Sequence, residues 1–150
     1  MLTFRVDGRP VPQGNHRAVS KGVVREATKG HKAWREAVHW AAKQALRASA
    51  FSDGEGGYGD AAVPGGEGVV VWAKFTFKTP KRGHKHGDVR PCKPDLDKLN
   101  RAIGDSLESA GVVANDSQIV GWPCCPAKVY GVRPGAEICV YTLEEWEGRG

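Results

Sequence analysis

The residues of this chain best suited to chemistry fall in one stretch, Lys93 to Ile119. Asp95 and Asp97 stand two apart where a helix should begin, and Asp116 follows that helix after Gly111 and a short apolar link. Carboxylates brought together repel unless a proton or cation neutralises them. A hard divalent ion is the usual cation for all-oxygen ligands. Asp97, Arg101 and Asp105 recur at i, i+4 and i+8, so they share a polar stripe on the helix. Asp97 could hold a cation while Arg101 contacts an oxygen of the phosphate it binds. Each feature also has an ordinary explanation. Asp95 suits a helix start in any protein, Asp97 and Asp105 could flank Arg101 in a salt-bridge ladder, and Asn115-Asp116 could be turn chemistry. Spacing alone leaves both readings open.

The acids lie in a basic chain. Its 150 residues carry 22 Lys and Arg against 17 Asp and Glu, a net charge of +5, and the pI is about 9.1. That balance suits a polyanionic partner. Lys81, Arg82, Lys85, Arg90 and Lys93 lie just upstream of Asp95. A Lys/Arg run is often only a solvated face, but here it is also a candidate contact to a DNA or RNA backbone, salt-sensitive and blind to sequence. His84 and His86 lie in the same Gly-rich run and are given no catalytic role. No histidine is placed as a base, so if the acids do hold a metal, metal-bound hydroxide would be the nucleophile.

Positioning these groups requires a folded scaffold. The length fits one domain, with 26% charged and 40% hydrophobic residues. Alternation at Leu2, Phe4 and Val6 predicts a first strand. After a Pro/Gly-rich loop, residues 16–32 are polar and basic and fit a hairpin or a loose loop. Helical spacing of Trp34, Val38, Ala42 and their neighbours predicts a helix from about Thr28, a candidate N-cap, to Ala48. Residues 52–68, rich in glycine, are expected to form a flexible surface loop. Val69 to Lys78 alternates with Val69, Val71, Ala73, Phe75 and Phe77 on one face, a strand. Residues 79–94 are expected to be an irregular, mobile basic loop. The second helix runs from about Asp95 to Ser109 on the stripe Leu96, Leu99, Ile103, Leu107 and Ala110. A strand is expected after Asp116 with Ile119 inward, and a closing strand from Ala136 to Leu143. The order predicts an α+β domain, a mixed β-sheet backed by two helices. No apolar run approaches the ~20 residues that span a membrane, and the protein is expected in the cytoplasm. There Cys92, Cys124, Cys125 and Cys139 would stay reduced.

Lys-Pro-Asp-x-Asp-x-Leu-x-(Lys/Arg), a helical Asp, Gly, and an acidic pair before Ser-Gln-Ile resembles the RusA-type Holliday-junction resolvases, small endonucleases common in phages and prophages. The match is close over Lys93 to Ile119 and weaker elsewhere. The resemblance implies a homodimeric nuclease dependent on Mg²⁺, with Mn²⁺ as a substitute, that nicks four-way branched DNA symmetrically in recombination and repair. If phage-encoded, it would act in the host cytoplasm. It places the catalytic metal-site carboxylates at Asp95, Asp97 and Asp116, and puts Arg101 where the family often has an essential lysine. Arginine keeps the charge but is a poor proton donor, which favours a phosphate contact. Lys98 replaces a common Asn, and Asn115 a common Asp. The alternatives are a catalytically inactive branched-DNA-binding protein and a nuclease for flaps or other branches.

Overall fold

The computed structural model describes residues 1–13, 30–49 and 61–149 in full, and 16–20 and 23–26 as backbone. Strand β1 spans Leu2–Asp7, and a hairpin follows, β2 (His16–Ser20) with β3 (Val23–Glu26). Helix α1 (His31–Ala48) leads to β4 (Val69–Lys78) and α2 (Leu96–Ser109). A single 3-10 turn, Asp116–Gln118, enters β5 (Ile119–Gly121). Strands β6 (Lys128–Gly131) and β7 (Gly135–Thr142) and a short α3 (Leu143–Glu147) complete the fold.

β4 is the spine of a mixed five-stranded sheet. One edge pairs antiparallel with β7, which pairs antiparallel with β1. The other edge is shared by two parallel strands, β5 at Val69–Val70 and β6 at Phe75–Lys78. A parallel return needs a crossover, and α2 lies in the connection that carries the chain from β4 to β5. Alternation in β1, β4 and β7 turns Leu2, Phe4, Val6, Val71, Phe75, Phe77, Ile138 and Val140 into one core. Trp34, Val38 and Ala42 of α1 and Leu99, Ala102, Ile103 and Leu107 of α2 pack against it. The α+β architecture and the mixed sheet are as expected from sequence. The two long helices supply the backing, and α3 packs at the end of β7.

Several elements differ from expectation. α1 begins at His31 with Gly30 as N-cap and no side-chain cap; Thr28 lies outside the described residues. The expected strand after Asp116 is preceded by a 3-10 turn that includes Asp116 itself. Lys128 to Tyr130 reads from sequence as a link between strands, yet it is strand β6; its four residues follow the interrupting Pro-Cys-Cys-Pro and are too few to show alternation. α3 is one short turn-and-a-half, begun by a capping box between Thr142 and Glu145. In the Gly-rich segment, residues 52–60 lie outside the described residues. Its tail is packed rather than loose: Val63 is 2% exposed and bridges Val113 in parallel. The basic loop is also tied down. Val89 bridges Val129 antiparallel, and backbone bonds join Gly87 to Tyr130, Tyr130 to Asp88 and Arg90 to Lys128. Proline and glycine disfavour a strand there but leave enough amides to pair with the edge of β6.

Candidate active site

α2 starts after a cis Lys93–Pro94 bond. Asp95 is its N-cap by backbone geometry, yet its side chain makes no capping hydrogen bond. The carboxylate is exposed, with Lys98 Nζ at 3.8 Å from Oδ2. The approach is held by Lys128 of β6, whose Nζ donates to the carbonyls of Cys92 and Pro94, both at 2.8 Å. At the far end, Gly111 (φ 82°) takes the left-handed conformation that ends the helix. Its amide donates to Glu108 and the Val112 amide to Leu107.

The return to the helix is built by Asn115 and Gln118. Asn115 Oδ1 accepts from the Ser117 amide at 2.9 Å, capping the 3-10 turn. Gln118 is buried, and its Oε1 accepts from the amides of Ala114 and Asn115 at 2.8 and 2.9 Å. Its Nε2 donates to the carbonyls of Pro64 and Glu67 at 2.8 and 2.9 Å. One amide thus staples the turn to the 63–67 segment. The turn is set close against α2 at Gly104, where a Cβ would lie 3.3 Å from Ile119 Cδ1 and 3.7 Å from Asp116 Cβ. Asn115, which stands where an acid was a possibility, therefore serves the turn.

The outcome is a cavity of about 280 Å³ lined by Asp97, Asn100, Arg101, Gly104, Asp116, Ile119 and Trp122. Three of the sequence-predicted residues, Asp97, Arg101 and Asp116, meet in it. Asp95 does not line it. Away from the N-terminal end of α2, oxygens of Asp105, Glu108 and Asp116 all lie within 4.8 Å of one another. Oxygens around one Mg²⁺ or Ca²⁺ ion, bonded at about 2.0–2.6 Å, span a similar distance. These three carboxylates therefore fit a hard divalent cation, with partial exposure leaving room for water. Asp97 and Asp105 are eight residues apart, about 12 Å along the axis, so one ion cannot take both. The acids form two groups that share Asp116.

None of the ordinary explanations uses these side chains. Among the described residues, the side chains of Asp97, Arg101, Asp105, Glu108 and Asp116 make no hydrogen bond or ion pair. Asn100 Oδ1 is cut off from solvent beside the cavity without a donor. Such an orphan is costly unless water or a ligand supplies one.

The basic residues separate by environment. Lys81, Arg82, Lys85 and Lys93 are exposed. Arg90 is half-buried, 4.2 Å from the Phe77 ring centroid and 5.5 Å from that of Tyr130, and it donates to the Lys93 carbonyl at 2.8 Å. It braces the loop from within. His86 Nδ1 meets Thr79 Oγ1 at 2.7 Å and His84 packs on Tyr130, so both histidines serve the loop. Sequence reasoning missed Gly104, Gln118, Lys128 and Glu108. Gly104 inside a helical stripe was the available signal, since glycine there is costly without a close neighbour.

No helix among the described residues is long and apolar enough to cross a membrane. No curated protein matches the chain. Residues 7–141 match the family model for endodeoxyribonuclease RusA, and the chain, with its carboxylates gathered along α2, belongs to the RusA endodeoxyribonuclease family.

Proposed function

We propose that this chain is a divalent-cation-dependent endodeoxyribonuclease that resolves four-way DNA junctions by paired nicks as a homodimer. One observation carries the reading: Asp116, without a partner of its own, is set against α2 so that it faces Asp97 and Arg101 across one cavity. Asp97 and Asp116 would hold Mg²⁺ or Mn²⁺ on the cavity side, while Asp95 stands exposed at the helix mouth, outside the cavity. Asp105 and Glu108 would offer Asp116 a second cation position. When bound, the cation supplies Lewis-acid polarisation of a phosphoryl oxygen. Arg101 contacts a non-bridging phosphate oxygen and neutralises charge there. Lys81, Arg82, Lys85 and Lys93 hold the flanking backbone, while Arg90 holds the loop that presents them. Gln118 and Gly104 keep Asp116 in place without touching DNA. A two-fold junction calls for two matched sites, which a homodimer provides.

The test is nicking of a synthetic four-way junction with and without Mg²⁺, using wild type, Asp97→Asn, Asp105→Asn and Asp116→Asn. Asp116→Asn and Asp97→Asn are expected to lose nicking while still binding the junction. Asp105→Asn is expected to raise the Mg²⁺ concentration needed. Tight binding without Mg²⁺-dependent nicking by wild type would defeat the enzyme reading, and equal cutting of linear duplex would defeat the junction reading.

A further inference from the structure

A second cavity, of about 470 Å³, is lined by none of the site carboxylates. It runs along the first half of α1, where Lys32, Arg35, Glu36, His39 and Trp40 meet Ser109 at the end of α2. Trp40 is 55% exposed, although indole is a large apolar group. It is also supported. The His39 ring meets it edge-on at 5.1 Å and 87°. His39 Nδ1 is tied to Ser109 Oγ at 2.8 Å, so the supporting ring is anchored to the second helix. Lys43 Nζ lies 5.8 Å from the indole centroid. Lys32 and Arg35 bring positive charge to the groove, and Glu36 is the one acid among its described lining residues.

We infer that this groove takes an unpaired nucleotide, with its base stacked on Trp40 and its phosphate against Lys32 and Arg35. An aromatic platform flanked by cations suits a ligand that is both flat and anionic. Base stacking is tolerant of sequence because every base has a π-face, and cationic side chains track the backbone. Paired bases hide those faces, so a duplex cannot use the platform, whereas a branch point interrupts stacking and can release a base. The inference rests on the reading that the chain acts on branched DNA, and it adds a contact outside the acidic cavity.

The test is fluorescence anisotropy of a labelled single-stranded oligothymidylate and of an abasic oligonucleotide of equal length, both in EDTA. Wild type should prefer the oligothymidylate. Trp40→Ala should lose that preference, weakening oligothymidylate binding roughly 5- to 100-fold, and Trp40→Phe should retain most of it. Lys32→Ala with Arg35→Ala should weaken both ligands and flatten the log–log salt slope by about 1.4. Because EDTA stops any cation-dependent cutting, the result is independent of junction nicking, which tests the nuclease reading separately. Equal affinity of wild type for the two ligands would overturn the inference. An equal loss on both by Trp40→Ala would also do so. So would a change in oligomeric state of Trp40→Ala by sedimentation with the base preference intact, which would make this face a contact between copies.

Discussion

Replacing Gln118 with leucine removes the amide that ties the Asp116 turn to the 63–67 segment while roughly keeping side-chain volume. Four bonds of 2.8–2.9 Å are lost, from the Ala114 and Asn115 amides and to the Pro64 and Glu67 carbonyls. At about 0.5–1.5 kcal/mol net for each, and with these exposed backbone residues able to recover water, the expected loss is about 2–4 kcal/mol. For a domain of this size that lowers Tm by roughly 5–15 °C. A larger effect should fall on activity. Asp116 is presented by this turn, and a catalytic group displaced by ~1 Å can cost about 10²-fold. Nicking is therefore measured well below the variant's Tm, where the chain is fully folded. Gln118→Glu separates the two halves of the staple. It keeps the acceptors for the two amides but points a carboxylate at carbonyls, a placement that raises its folded pKa above the unfolded ~4.3. A raised folded pKa means stability present below the unfolded value and lost as pH rises through the folded one. Gln118→Glu should thus approach wild-type stability near pH 4 and fall below it at pH 7. Wild-type nicking by fully folded Gln118→Leu would refute the positioning argument, and a pH-independent deficit in Gln118→Glu would refute the assignment of its Nε2 bonds.

Other perturbations probe the same scaffold. Gly104→Ala gains helix propensity of about 1 kcal/mol but sets a Cβ 3.3 Å from the flexible Ile119 Cδ1. Melting should be near wild type and nicking several-fold slower, and undiminished nicking would mean that the close approach at Asp116 is not needed. Lys128→Met releases the carbonyls of Cys92 and Pro94. It should cost about 1–2 kcal/mol in urea unfolding, since its charged hydrogen bonds are partly exposed, and should raise amide exchange at the start of α2. Asp7 is held below the usual carboxylate range by hydrogen bonds first from Arg133 and then from Arg5. Its contribution to stability is present above about pH 4 and lost as pH falls through the lowered folded pKa. Asp7→Asn should therefore melt below wild type at pH 7 and converge with it in acid; a deficit that persists at pH 2 would contradict the pairing.

The chain's own pattern determined much of this protein. Period-two alternation in β1 and β4 and the Leu99–Ile103–Leu107 stripe of α2 are local signals, because strand and helix geometry repeat every 2 and 3.6 residues. The family motif also marked Asp97, Arg101 and Asp116 in advance, and the three line one cavity. Residues too few to show a period were not legible: β6 has four, and the 3-10 turn has three. Nor was the grouping of the acids. Asp105 and Glu108 look like surface residues of α2 until Gly111 reverses the chain and Gln118 sets Asp116 beside Gly104. Arg90 read as one more cation in a basic run, yet Phe77 and Tyr130 claim its guanidinium. Local sequence determined which residues carry charge and which face of each element is apolar. Only tertiary structure decided which charges are already engaged, because that depends on hydrogen bonds between segments distant in the chain, such as Gln118 to Pro64 and Lys128 to Cys92.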